Sequence, residues 1–127
     1  MRNTSGSINA PRWFDPRNRQ VGSWAFMLNR LSALGLTFYL GLHLAVLHKL
    51  SQGADAYDDF VASAQSPFIK VGEVILIAAV AFHGLNGLRL VLHAFGFAIP
   101  YQKNLFLVVT AMTILITILF AVHLFGA

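Results

Sequence analysis

Three long apolar stretches, at about 24–50, 67–97 and 104–125, dominate the chain, and short polar segments separate them. Each is longer than the roughly 20 helical residues that cross a bilayer core about 30 Å thick. The pattern predicts an all-α integral membrane fold of three transmembrane helices. Residues 23–127 form the three-helix transmembrane anchor, and residues 1–22 form a polar cytosolic N-terminal arm carrying Arg2, Arg12, Arg17, Arg19 and the single acid Asp15. Residues 51–60, between the first two spans, are polar and hold Asp55, Asp58 and Asp59. Gly96 to Lys103, between the last two, contains Pro100 and reads as a tight turn. There is no internal repeat and no low-complexity segment.

Composition narrows the function classes. Of 127 residues, 57% are hydrophobic and 11% charged, too apolar for a soluble domain of this size. The spans leave no room for a soluble catalytic domain, so any chemistry sits within the membrane or on a partner, and the chain is not expected to be an enzyme alone. Absence of cysteine removes disulfides, thiolate catalysis and iron–sulfur ligation. The net charge of +4 points to membrane orientation rather than nucleic acid, because the cations flank the spans. Arg2, Arg12, Arg17, Arg19 and Arg30 lie on the N-terminal side, joined by Arg89 and Lys103, against Lys49 and Lys70 on the other. The positive-inside rule then places the N-terminus in the cytosol or matrix and the C-terminus outside. Trp13, Trp24 and Tyr101 fall at the inner interface and Tyr57 near the outer one. No apolar region follows the first cation, so the leader is not a secretory signal. It reads either as an arm lying against a soluble partner or as an Arg-rich transit peptide.

Ionisable residues inside the membrane carry the candidate chemistry, since each costs on the order of 2.5–3.5 kcal/mol near a helix centre. His43 and His83 are the deepest. Neutral imidazole is a good ligand for haem iron, and without cysteine and with few buried acids, haem is the expected metal centre. At about 1.5 Å per residue, the two histidines differ in depth by roughly 12 Å, too far to share one porphyrin. Each is therefore expected to ligate its own haem, opposite a histidine of another chain. Gly84 and Gly87 flank the His83 face, which suits either a flat macrocycle or a neighbouring helix. Arg89, near the cytosolic end, suits a haem propionate or a snorkelling anchor. On the first span Ser32, Leu36, Tyr39 and His43 form one stripe. Polar groups from Asn29 to Ser32 sit where they can hold a quinone carbonyl or a propionate. His48, His93 and His123 lie near span ends and are read as interfacial.

Arg30-Leu31-Ser32-Ala33, then His43 in the same span, then His83-x3-Gly87-Leu88-Arg89 resembles the cytochrome b membrane-anchor subunit of succinate dehydrogenase, over roughly residues 23–105. The resemblance implies half of a two-subunit haem-binding helix bundle, one or two haem b groups shared with a second membrane-anchor subunit, and quinone as substrate. It also implies a flavoprotein subunit and an iron–sulfur subunit as partners, and a prokaryotic cytoplasmic membrane rather than the mitochondrial inner membrane. His83 maps onto the second-span haem ligand, His43 onto the first-span ligand of two-haem members, and Arg89 and Arg30 onto positions of propionate or quinone contact. Arg30 and Ser32 are expected to border the quinone pocket. The chain departs from the family in having Asn29 where many relatives have histidine, Phe26 where many have serine, and His93-Ala94 where an aspartate is common. The rival readings are a haem b subunit of another respiratory dehydrogenase and a haemless anchor or transporter component.

Overall fold

The structure is a computed structural model that describes residues 21–126. Residues 1–20 of the N-terminal arm, with Arg2, Arg12, Trp13, Arg17 and Arg19, lie outside the described residues, and the last two residues assigned to the arm, Val21 and Gly22, begin the first helix. Four α-helices follow in order: α1 Val21–Leu50, α2 Ala54–Ala64, α3 Pro67–Ala94 and α4 Gln102–Gly126. α1, α3 and α4 (with a short 3-10 turn, Ile99–Tyr101, leading into α4) are each long and apolar enough to cross a bilayer. α3 is central: it packs along both α1 and α4, while α1 and α4 touch little.

Local chemistry sets the helix ends. Pro67 opens α3 in its first turn, where a missing N–H costs nothing. Its end is a Schellman motif: Phe97 N–H donates to the Leu92 carbonyl at 2.9 Å and Gly96 N–H to that of His93 at 3.0 Å. Gly96 takes the left-handed conformation this closure needs, at φ 80°. The second span therefore stops at Ala94, three residues before the apolar pattern does.

α2 lies in the segment whose composition showed only polarity. Ala56, Tyr57, Phe60 and Ala64 are half-buried against the bundle, while Asp55, Asp58 and Asp59 face out. That is helical spacing, and eleven residues are too few to span. It is an amphipathic helix at the end of the bundle opposite the N-terminus.

Burial is inverted relative to a water-soluble protein. Among the described residues the buried apolar side chains are Ala25 and Val109, and the buried polar ones are Ser32, Asn86, Arg89 and Thr113. Large apolar groups point outward instead, Leu34 and Phe38 at 70% exposure each. Lipid is as apolar as leucine, so polar groups are what such a bundle gathers inside. Thr113 is satisfied locally, its hydroxyl donating to the Val109 carbonyl at 2.8 Å. The other three lie together.

Candidate functional site

α1 and α3 run antiparallel, and their register brings Asn29 level with Asn86 and Ser32 level with His83. His83 Nδ1 lies 3.2 Å from Ser32 Oγ and 3.3 Å from the Asn29 main-chain oxygen. The Ser32 hydroxyl donates to that same Asn29 oxygen at 2.9 Å, the i−3 bond a helical serine readily makes. One turn along, Asn86 Nδ2 donates to Asn29 Oδ1 at 3.1 Å. Asn86 is 0% exposed, and its Oδ1 has no partner. A further turn on, buried Arg89 donates from a terminal nitrogen to the Gln102 carbonyl at 3.3 Å and lies 5.4 Å from the Phe106 ring centroid. Its Nε is buried without a partner. Phe106 is itself held edge-on by Phe82 at 6.3 Å.

Beside this row is a cavity of about 300 Å³, whose lining includes Phe26, Asn29, Arg30, Asn86 and Arg89. Arg30 is exposed and sits over the Phe26 ring, 4.4 Å from its centroid. A cation–π contact of this kind places the guanidinium at the cavity rim. Phe26, noted above as a departure from the resembled family, thus lies under Arg30. Ser32 does not line the cavity: its hydroxyl is turned to His83. The site therefore has cationic donors in Arg30 and Arg89, and an unpaired acceptor in Asn86.

His43 stands apart. It is eleven residues beyond Ser32, or about 16 Å along α1, compared with the roughly 12 Å expected from the sequence. Its ring stacks on Tyr39 with centroids 5.6 Å apart, and Tyr39 Oη is 3.4 Å from His43 Nδ1. It is exposed on the bundle surface. His43 and His83 do not meet. Among the described residues no three His, Cys, Asp or Glu side chains converge to hold a metal, so each histidine is a single donor. His48 Nδ1 contacts Ser51 Oγ at 3.2 Å, and half-buried His93 has an unpartnered Nε2. A Cβ built on Gly84 or Gly87 meets nothing within 4 Å, so neither glycine serves helix packing within this chain.

Asn86 is the member that sequence reasoning passed over, and Asn29, singled out among the polar groups at the start of the first span, proves to be its partner. A buried amide three residues from His83 in an otherwise apolar span was the available signal.

Comparison with known proteins identifies the family. The family model described as succinate dehydrogenase/fumarate reductase transmembrane subunit matches residues 13–120. The chain is 29% identical over 98 residues to the succinate dehydrogenase 2 membrane subunit of Mycobacterium tuberculosis, covering 76% of this chain and 72% of that one. It is 32% identical over 87 residues to the succinate dehydrogenase hydrophobic membrane anchor subunit of Halobacterium salinarum, covering 68% and 67%. Both relatives are membrane subunits by name, and the matched region takes in all of α1, α2 and α3, most of α4, and every residue of the His83 row. On these grounds the chain belongs to the succinate dehydrogenase/fumarate reductase transmembrane subunit family.

Proposed function

We propose that this chain is the cytochrome b anchor of a succinate:quinone oxidoreductase, binding haem b and forming part of the quinone site. The observation that carries the reading is the row of half-buried His83 and buried Asn86 and Arg89 beside a cavity rimmed by Arg30. A row of polar groups is costly in lipid and asks for polar occupants.

The residues suit a haem. His83 offers one imidazole, Gly84 and Gly87 leave open space along its helix, and the unpartnered Nε of Arg89 awaits a carboxylate such as a propionate. A bound haem b would supply one-electron Fe(III)/Fe(II) chemistry between an iron–sulfur partner and the membrane quinone pool. His43 is the corresponding donor for a second haem toward the other face. Each haem would need a further donor besides this chain's histidine, which a second membrane-anchor subunit would supply.

In the cavity, Arg30 donates to a quinone carbonyl, and charge-assisted donors of this kind strengthen as that oxygen gains negative charge on reduction. Asn86 Oδ1 accepts from a hydroxyl of the quinol product. Succinate dehydrogenation belongs to the flavoprotein partner, with the iron–sulfur subunit docked on the arginine-rich end. Arg30, Arg89 and Lys103 share that end against Lys49 and Lys70 at the opposite one, which supports a cytosolic N-terminus, and the bacterial and archaeal relatives support a prokaryotic cytoplasmic membrane.

The test is His83→Ala in the assembled complex. Loss of a low-spin haem b spectrum, with the subunit still inserted and co-purifying, is the expected result. Haem content and spectrum unchanged by the substitution would remove the assignment. A complex with no Soret band at all would favour a haemless anchor.

A further inference from the structure

The contacts of His83 determine more than its position. Of the two groups facing Nδ1, the Asn29 main-chain oxygen, 3.3 Å away, has no proton to give. The other, Ser32 Oγ, spends its proton on that same oxygen at 2.9 Å and so presents lone pairs toward the ring. A bare Nδ1 would face acceptors on both sides. The bonding arrangement is Nδ1–H donating to the pair, which leaves Nε2 without a proton and with its lone pair directed away from α1.

We infer that Ser32 and Asn29 are positioning residues that lock His83 in its Nδ1–H tautomer, so that Nε2 is already a ligand before any occupant arrives. A ligating imidazole generally donates its second N–H to a carbonyl, carboxylate or water, which fixes its orientation and raises its basicity. Here that shell is built on a different helix from the histidine. The first span thereby sets the donor strength of a side chain on the second. Ser32 is a neighbour of the candidate quinone cavity but acts through His83.

His43 has no such lock. Its Nδ1 faces the Tyr39 hydroxyl, which both donates and accepts, so that contact is compatible with either tautomer. The contrast between the two histidines is built into the register of α1 against α3.

The tautomer does not depend on haem, whereas its use toward iron rests on the function proposed above. The experiment separates the two. Full-length chain carrying ring-15N histidine is reconstituted without haem in phosphatidylcholine–phosphatidylglycerol vesicles for solid-state NMR. The His83 signals are identified by their loss in His83→Gln. The expected spectrum has a protonated Nδ1 and an unprotonated Nε2. Ser32→Ala should move the tautomer ratio toward Nε2–H by roughly five-fold, the factor of one ordinary hydrogen bond. Ser32→Thr, which keeps the hydroxyl, should restore the original ratio. An Nε2–H majority in the unmodified chain, or a ratio that Ser32→Ala leaves unchanged, overturns the lock. In the assembled complex Ser32→Ala should also raise the midpoint potential of the haem lost in His83→Ala, because a weaker Nδ1–H bond makes a poorer donor to ferric iron. If no haem depends on His83, the functional reading falls while the NMR result still decides the tautomer.

Discussion

Asn86→Leu separates what the site contributes to function from what it contributes to stability. The two side chains have the same branched shape and heavy-atom count, so the change removes polarity and leaves volume nearly constant. The loss is one bond, Asn86 Nδ2 to Asn29 Oδ1 at 3.1 Å. Interhelical bonds of this type in membrane proteins average about 0.6 kcal/mol and reach about 1.7. The gain is removal of a fully buried Oδ1 that has no partner, a group whose burial costs about 1–3 kcal/mol. Asn29 is only half-buried and lines the cavity, so its freed oxygen is not trapped. The balance favours the variant by about 1 kcal/mol. Reversible unfolding of the full chain in mixed micelles, followed by far-UV circular dichroism against SDS mole fraction, measures it. In the assembled complex the same change should raise KM for quinol in the quinol-oxidising direction and leave KM for quinone little changed, since the acceptor lost serves the quinol hydroxyl and a quinone carbonyl has no proton to donate. Destabilisation of the free chain by more than about 1 kcal/mol would refute the reasoning, because it would mean that Oδ1 is bonded in the native bundle.

Arg30→Leu removes the rim donor and should lower quinone reduction by roughly 10- to 100-fold, the worth of a charged hydrogen bond. Succinate oxidation with a soluble artificial acceptor should stay intact, and equal loss of both activities would indicate misassembly instead. His43→Ala should reduce two haems per flavin to one in a pyridine haemochrome assay, and an unchanged count would exclude His43 as a ligand. Gly87→Ala should stabilise the free chain by up to about 1 kcal/mol through helix propensity, because nothing within 4 Å obstructs its Cβ. In the complex the same substitution should lower haem loading, and full loading would show that the macrocycle does not use this face.

The three spans were readable because uninterrupted apolar length has few other meanings at this scale. His83 and Arg89 stood out for a related reason: a polar residue in lipid is expensive, so its presence is informative. Relations between helices were less legible. Nothing local in the sequence says that Asn29 faces Asn86, or that Ser32 turns to His83 rather than to the cavity. Those facts belong to the register of α1 against α3. Phe26 counted only as a departure from the family until the structure set it under Arg30. α2 escaped notice because its three aspartates dominate its composition, although Tyr57 and Phe60 keep helical spacing. The His43–His83 separation came out short because the sequence located span centres from apolar limits, and helix ends move by a residue or two.

The inward-facing polarity of α3 constrains how the chain is made. His83, Asn86 and Arg89 find their bonding partners on α1 and at the start of α4. Released alone into lipid from the translocon, α3 would carry those groups unpaired, each at a penalty of kcal/mol scale. α1 has therefore to remain beside the exit site until α3 arrives, and α4 has to follow before Arg89 acquires the Gln102 carbonyl. A chain interrupted after the second span leaves the Arg89 guanidinium without the Gln102 carbonyl it bonds in the full bundle.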